Sequence, residues 1–421
     1  MNNFDVAVIG GGPAAMAAAI SAKEHGAKSV IILERANRLG GILNQCIHNG
    51  FGLHYFKEEL TGPEYARRFE EKIKGSDITV KLNTAVLKVL PDRAVNAIND
   101  TDGMFTVNAR AVVLAMGCRE RPCGALNIPG ARPAGIISAG TAQKFVNMDG
   151  YMPGKEIVIL GSGDIGLIMA RRMTLEGATV KVVCELMPYS GGLKRNIVQC
   201  LDDFGIPLLL SHTVVNIHGN ERVTGVTIAA VDGNLQPISG SEQFTPCDTL
   251  MLSVGLIPEN ELTRDLGAEL DSITGGALVN HNMQTSVNGI FSCGNVLHVH
   301  DLVDFVTEES NRAGMSAAKF ALGGADGKMR SIDVNPGLGV RYTVPQRIDL
   351  PTADESIRLF FRTDKIYQNM RITVRADGEI IKQQKKARLS PGEMESISIG
   401  TQSLYTVKIL TLELEDANGR N

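Results

Sequence analysis

The apolar positions of the chain follow two different rhythms. Over residues 4–34 (FDVAVIGGGPAAMAAAISAKEHGAKSVIILE), an apolar run at 6–9 leads into three glycines, an alanine-rich stretch of helical length and a second apolar run at 30–33. Short apolar runs bounded by glycine read as strands buried on both faces, and the stretch between them reads as a helix crossing between parallel strands. Residues 156–185 (EIVILGSGDIGLIMARRMTLEGATVKVVCE) repeat that order. From about residue 330 the pattern changes to alternation, with Ile372 and Val374, Ile397 and Ile399, then Tyr405, Val407 and Ile409, and with Asp377-Gly378 and Pro391-Gly392 as turn signals. A period of two broken by such turns predicts a small antiparallel β domain of about four to six strands.

The two helical units carry the same turn chemistry. In the first, Gly10, Gly12 and Ala15 fit the GxGxxG/A pattern; in the second, Gly161, Gly163 and Gly166 do. The first glycine permits a tight turn, the second lets the backbone approach a pyrophosphate, and the third small residue lets the helix pack on the strand. The helix openings, Pro13, Ala14 and Ala15 in one unit and Ser162, Asp164 and Ile165 in the other, present an N-terminus to the phosphates. An acid closes each second strand, Glu34 and Glu185, where a carboxylate can accept ribose hydroxyls. Each acid follows its first glycine by 24 residues, and the whole device is displaced by 151. A plain βαβ turn would not repeat all these parts, so two dinucleotide sites are expected. No cation follows Glu185 until Lys194 and Arg195, so the second site is expected to prefer NAD(H) to NADP(H).

Composition narrows the class. Glycine makes up 45 of 421 residues without a three-residue period, which points to turns and away from collagen or linker sequence. The net charge of −4 offers no basic field for nucleic acid. The early uncharged run contains Gly-Gly-Gly-Pro and follows Asp5, unlike a secretory signal or a spanning helix. The expectation is a soluble, cytoplasmic protein of two to three domains, not integral to a membrane.

The paired units resemble the two-dinucleotide-binding-domain flavoproteins, the pyridine nucleotide-disulfide oxidoreductase superfamily of glutathione and thioredoxin reductases. VVLAMG (112–117), LMLSVGLIPEN (250–260) and TSVNGIFSCGNV (285–296) look like its inter-domain and second FAD motifs. A narrower likeness lies in residues 38–65, 115–122 and 293–314. These look like a branch that includes the FAD subunits of hydrogen cyanide synthase, opine oxidase and dye-linked proline dehydrogenase, and flavoproteins that accompany a glycerol-3-phosphate dehydrogenase. The likeness implies an α/β fold of two Rossmann-like domains plus the C-terminal β domain. It divides the chain into an FAD domain at 1–117 and 253–329, an NAD(P) domain at 118–252 and the β domain at 330–421.

The resemblance implies further FAD contacts at Arg35, Gly41, Ile42, Val86, Ala115, Gly117, Gly294 and Asn295, with Gly255 at the return element. It also implies a helix opening at Val303, Asp304 and Phe305, whose N–H groups face the reduced flavin ring. The implied activity is hydride exchange between NAD(H) and FAD, then electron flow to or from an acceptor or a partner dehydrogenase, with glycerol-3-phosphate dehydrogenase one candidate. Two alternatives stay open: an FAD-holding relay or scaffold protein within a larger dehydrogenase, and a thiol-based disulfide or peroxide reductase. The oligomeric state stays open: the C-terminal pattern lacks the interface domain of glutathione reductase, so that dimer is not assumed.

The departures bear on that choice. The superfamily's acid after CG is Asn295 here, and no redox cysteine pair follows LGG. Cys46 falls at neither expected position, and Cys118 and Cys123 form a C-x4-C at the hinge between domains. A packed thiol is the simpler reading of Cys46, and a structural segment of the pair. No catalytic residue is assigned beyond Cys46 as a weak candidate. His298 and His300 share a face, but no third ligand accompanies them in sequence, so no metal is expected. The basic run at 382–388 reads as a charged strand edge that resists aggregation, with a docking surface as the alternative.

Overall fold

The computed structural model describes residues 2–324 and 330–417. It divides into two compact units, Met1–Cys118 with Pro258–Asn421, and Arg119–Ile257. Residues 325–329, within the expected end of the FAD domain, lie outside the described residues.

In the first unit, β1 (Asn2–Ile9), α1 (Pro13–Glu24) and β2 (Val30–Leu33) form the crossover that the apolar rhythm predicts. β1 and β2 run parallel, with Val6 beside Val30 and Val8 beside Ile32. The chain continues through α2 (Gly62–Lys74), β3 (Thr79–Lys81) and an antiparallel meander of β4 (Ala85–Val89), β5 (Ala94–Asn99) and β6 (Gly103–Leu114). The sheet order is β3-β2-β1-β6-β5-β4. A capping box starts α2, where the Thr61 hydroxyl accepts from Glu64 N and the Glu64 carboxylate accepts from Thr61 N. Tyr65 and Phe69 then fill the space beneath α1.

The second unit is a five-stranded parallel sheet with order β7-β14-β8-β9-β10. Its strands are β7 (Ile136–Ser138), β8 (Glu156–Leu160), β9 (Thr179–Glu185), β10 (Leu208–Leu210) and β14 (Thr249–Leu252). The helices α3 (Asp164–Leu175) and α4 (Lys194–Cys200) accompany it. An antiparallel sheet of β11 (His212–His218), β12 (Gly225–Ala230) and β13 (Gln243–Pro246) covers one face, burying Val158, Val182, Val214 and Val226 together.

Returning to the first unit, β15 (Ile290–Ser292) pairs parallel with β6, and α5 (Val303–Ala321) packs on α1. That packing is close: a Cβ on Gly314 would lie 2.1 Å from Ala18 O. It explains why Ala14 through Ala22 are buried around nearly the whole of α1, between sheet and helix.

Among the described residues, the C-terminal region has eight strands, more than the four to six expected from alternation. They are β16 (Arg330–Pro336), β17 (Val340–Val344), β18 (Arg347–Leu350), β19 (Ser356–Thr363), β20 (Tyr367–Ala376), β21 (Glu379–Leu389), β22 (Glu395–Gly400) and β23 (Ile409–Asp416). Two sheets, β18-β16-β23-β20-β21 and β17-β19-β22, bury Val334, Phe361, Ile372, Val374 and Leu412 between them. The sheet is not purely antiparallel, because β16 and β23 run parallel. Pro336, Gly337, Gly339, Pro345 and Pro351 punctuate the first of these strands. The expected strand through Tyr405 and Val407 does not form either: Gln402–Leu404 is a short helical turn that buries Leu404, and pairing begins only at Ile409. Asp377 and Gly378 turn the β20–β21 hairpin with φ of 47° and 92°, and the basic run lies on β21 at the sheet's edge.

Candidate functional site

The first glycine turn is shaped by backbone approach. Gly10 has φ of 110°, and a Cβ there would sit 2.4 Å from Ala115 O. Gly12 caps α1 in an extended conformation, and no side chain hydrogen-bonds to that helix start. Gly41 (φ 55°) backs onto Gly12, where a Cβ would lie 2.9 Å from Gly12 Cα, and Gly40 N donates to Gly11 O at 2.9 Å. Glu34 is buried beside Gly11, and its carboxylate accepts from Ala36 N at 2.6 Å. These contacts bring Gly10, Gly12, Pro13, Ala14, Ala15, Glu34, Gly41 and Ala115 to one turn. Gly294 joins them, since a Cβ there would sit 2.7 Å from Ala14 Cβ.

The other sequence-predicted residues differ in their surroundings. The Arg35 guanidinium pairs with Glu259 at 3.2 Å. Val86 is half-buried against the sheet core, while Ile42 is exposed. Gly117 has φ of 75° with open space around it. Asn295 Oδ1 accepts from His300 N at 3.1 Å and its amide donates to Cys118 Sγ at 3.6 Å, so its side chain faces protein partners. The Asp304 carboxylate accepts from Gly52 N at 3.2 Å and Tyr55 N at 2.8 Å. Asp304 therefore fastens the loop at 52–55 onto the start of α5, whose N-terminal turn has no side-chain cap. Val303 and Phe305 flank it there, and Phe305 stacks on His54 with ring centroids 5.6 Å apart.

The second turn, in the other unit, repeats the first closely. Gly161 has φ of 96°, and its Cβ would fall 2.1 Å from Ser253 O, as Gly10 meets Ala115 O. The Glu185 carboxylate accepts from Ser162 N at 2.9 Å, Ser162 Oγ at 2.6 Å and Met187 N at 2.9 Å. The Asp164 carboxylate accepts from Leu193 N at 2.8 Å and Asn196 Nδ2 at 2.7 Å, so this side chain holds the next segment. Gly163 caps α3 without a side-chain partner. Gly166 N donates to Ser253 Oγ at 3.0 Å, and a Cβ on Gly166 would fall 2.6 Å from Ser253 Cβ. Ile165 lies on α3, and Gly255 (φ 99°) on the return element.

None of the seven cysteines is joined in a disulfide. Cys46 is half-buried, its thiol donates to Ile42 O at 3.3 Å, and burial pushes it up to about 12. Sequence reasoning missed Glu309, which α5 carries inward: His298 Nε2 lies 2.7 Å and His300 Nε2 3.3 Å from Glu309 Oε2. Burial opposes ionisation of Glu309, but the two imidazoles beside it outweigh that cost and hold the carboxyl below the ordinary range. His298 is held below the ordinary imidazole value by burial first and then by His300. The acid lies eleven positions beyond His298 on a separate element, so no local spacing signals it.

With this geometry in hand, the chain belongs to the pyridine nucleotide-disulphide oxidoreductase family, whose model matches residues 4–318. The family is one of flavoproteins that generally bind FAD and use NAD(P)H. Hydrogen cyanide synthase subunit HcnB of Pseudomonas protegens is 28% identical over 284 residues, covering 62% of this chain and 58% of that protein. An opine oxidase subunit from Agrobacterium tumefaciens is 27% identical over 321 residues, covering 69% and 61%. The chain thus spans about three fifths of the length of these curated relatives. The thioredoxin reductase of T. acidophilum shares the fold, with a TM-score of 0.63 at 23% identity over 76% of this chain and 100% of that one. Among the described residues, no helix is long and apolar enough to cross a membrane.

Proposed function

We propose that this protein is an NAD(H)-linked FAD oxidoreductase that passes electrons to or from a second acceptor or a partner dehydrogenase. The observation that carries it is the doubled turn. In each unit a left-handed glycine abuts the carbonyl at the end of a neighbouring strand, an uncapped helix start follows, and an acid stands beside the turn. A pyrophosphate fits the N–H groups at such a start, and no Cβ intrudes.

When bound, FAD and a nicotinamide would supply two-electron hydride exchange between their rings, which asks the protein for orientation and exclusion of water. The residues that would hold FAD are Gly10, Gly12, Ala14, Ala15, Glu34 and Gly41, with the start of α5 near Val303 oriented by the Asp304 staple. Gly161, Gly163, Asp164, Ile165 and Glu185 would hold the nicotinamide dinucleotide. Glu185 would repel a 2′-phosphate, which supports NAD(H) over NADP(H).

A second reading, an FAD-holding component of a larger dehydrogenase, draws support from HcnB and the opine oxidase relative, both named as subunits. The test is cofactor content and nucleotide preference. One FAD per chain, with lower KM for NADH than NADPH in reduction of a dye acceptor, is expected. A chain that takes up no flavin on reconstitution overturns the proposal.

A further inference from the structure

We propose that His298, His300 and Glu309 form a binding site for one divalent first-row transition cation, of the zinc, iron(II) or manganese class. The three ligating atoms lie within 4.8 Å of one another. All three side chains are 0–1% exposed. Both imidazoles converge on the same carboxylate oxygen, at 2.7 and 3.3 Å. Ligands about 2.0–2.2 Å from a shared cation stand about 3 Å apart, close to those separations.

A hydrogen-bonded cluster without a cation accounts for only part of this. His298 Nε2 donates to the Glu309 carboxylate, yet His298 Nδ1 and both ring nitrogens of His300 have no hydrogen-bond partner. The 3.3 Å contact of His300 Nε2 with Glu309 does not meet hydrogen-bond geometry, so both nitrogens of this buried ring are unmatched. A cation would take the Nε2 lone pairs of both rings and Oε2 of the acid together.

Charge points the same way. Arg362 pairs with Asp301, and that pair is neutral. This leaves the Glu309 carboxylate facing the two imidazoles in a buried site bordered by Phe360, whose ring is 6.0 Å from both imidazoles. Two imidazoles and one carboxylate suit borderline cations better than magnesium or calcium, which favour all-oxygen sets. The other carboxylate oxygen accepts from Gly294 N at 2.7 Å, so a cation here would stiffen the turn at 294–296 through one hydrogen bond. None of this depends on a flavin being bound.

The test uses the full chain, stripped with a chelator and titrated with Co²⁺ and Zn²⁺. One equivalent of Co²⁺ per chain with visible ligand-field bands, displaced by Zn²⁺, is expected. His300→Asn is expected to weaken Co²⁺ binding by more than the ~10–100-fold that loss of a supporting partner costs. Should that variant not fold, the wild-type titration decides alone. Uptake of less than about a tenth of an equivalent, or undiminished binding by a folded His300→Asn protein, overturns the site.

Discussion

Gly10 and Ala115 meet so closely that a single methyl group on Gly10 would lie 2.4 Å from the Ala115 carbonyl oxygen. The φ of 110° at Gly10 adds strain for any side chain. Gly10→Ala is therefore expected to cost about 1–3 kcal/mol of local strain and to lower flavin content at least tenfold. Flavin released on denaturation measures it, and full flavin content would contradict the turn's role.

Gly161→Ala makes the equivalent change in the other unit, where the methyl would meet Ser253 O at 2.1 Å. The expected outcome is unchanged flavin content with a KM for NADH raised at least tenfold, about 1.4 kcal/mol. Loss of flavin with unaltered NADH affinity would reverse the assignment of the two turns.

Asp304 accepts two backbone N–H groups from the loop at 52–55 while buried at the start of α5. Asp304→Ala removes both charge-assisted bonds, worth about 1.5–3 kcal/mol each. Limited proteolysis should then cut near residues 52–58 well before the rest of the chain. Wild-type resistance there would show that something else holds the loop.

Cys46, pushed up to about 12 by burial, stays a protonated thiol throughout the physiological range. Alkylation at about pH 8 should be slow, and Cys46→Ser should leave NADH-driven dye reduction within about twofold of wild type. Rapid alkylation with loss of turnover would favour the thiol-based alternative.

Much of the architecture was legible because it rests on local signals. The strand, glycine turn, alanine helix and terminal acid lie within one short stretch, and their repetition at a fixed displacement exposed both units. Gly41 and Gly294 were legible only through the family resemblance. What sequence could not show was convergence between distant elements. Asp304 was expected at the ring-facing helix start, but its carboxylate staples a loop some 250 positions earlier. Arg35, expected at the cofactor, also pairs with Glu259, a partner 224 positions away. Glu309 reaches two histidines only because α5 turns it inward. The β domain's early strands lie between closely spaced prolines and glycines, while Tyr405 and Val407 follow a helical turn at 402–404 and pairing begins only at Ile409.

We propose that one chain holds both a flavin and a nicotinamide dinucleotide. The most direct measurement is anaerobic titration of the purified, flavin-loaded protein with NADH. Loss of the oxidised-flavin absorbance with one equivalent of NADH per flavin is the predicted result. A flavin that stays fully oxidised under excess NADH would show that no hydride passes between the two cofactors.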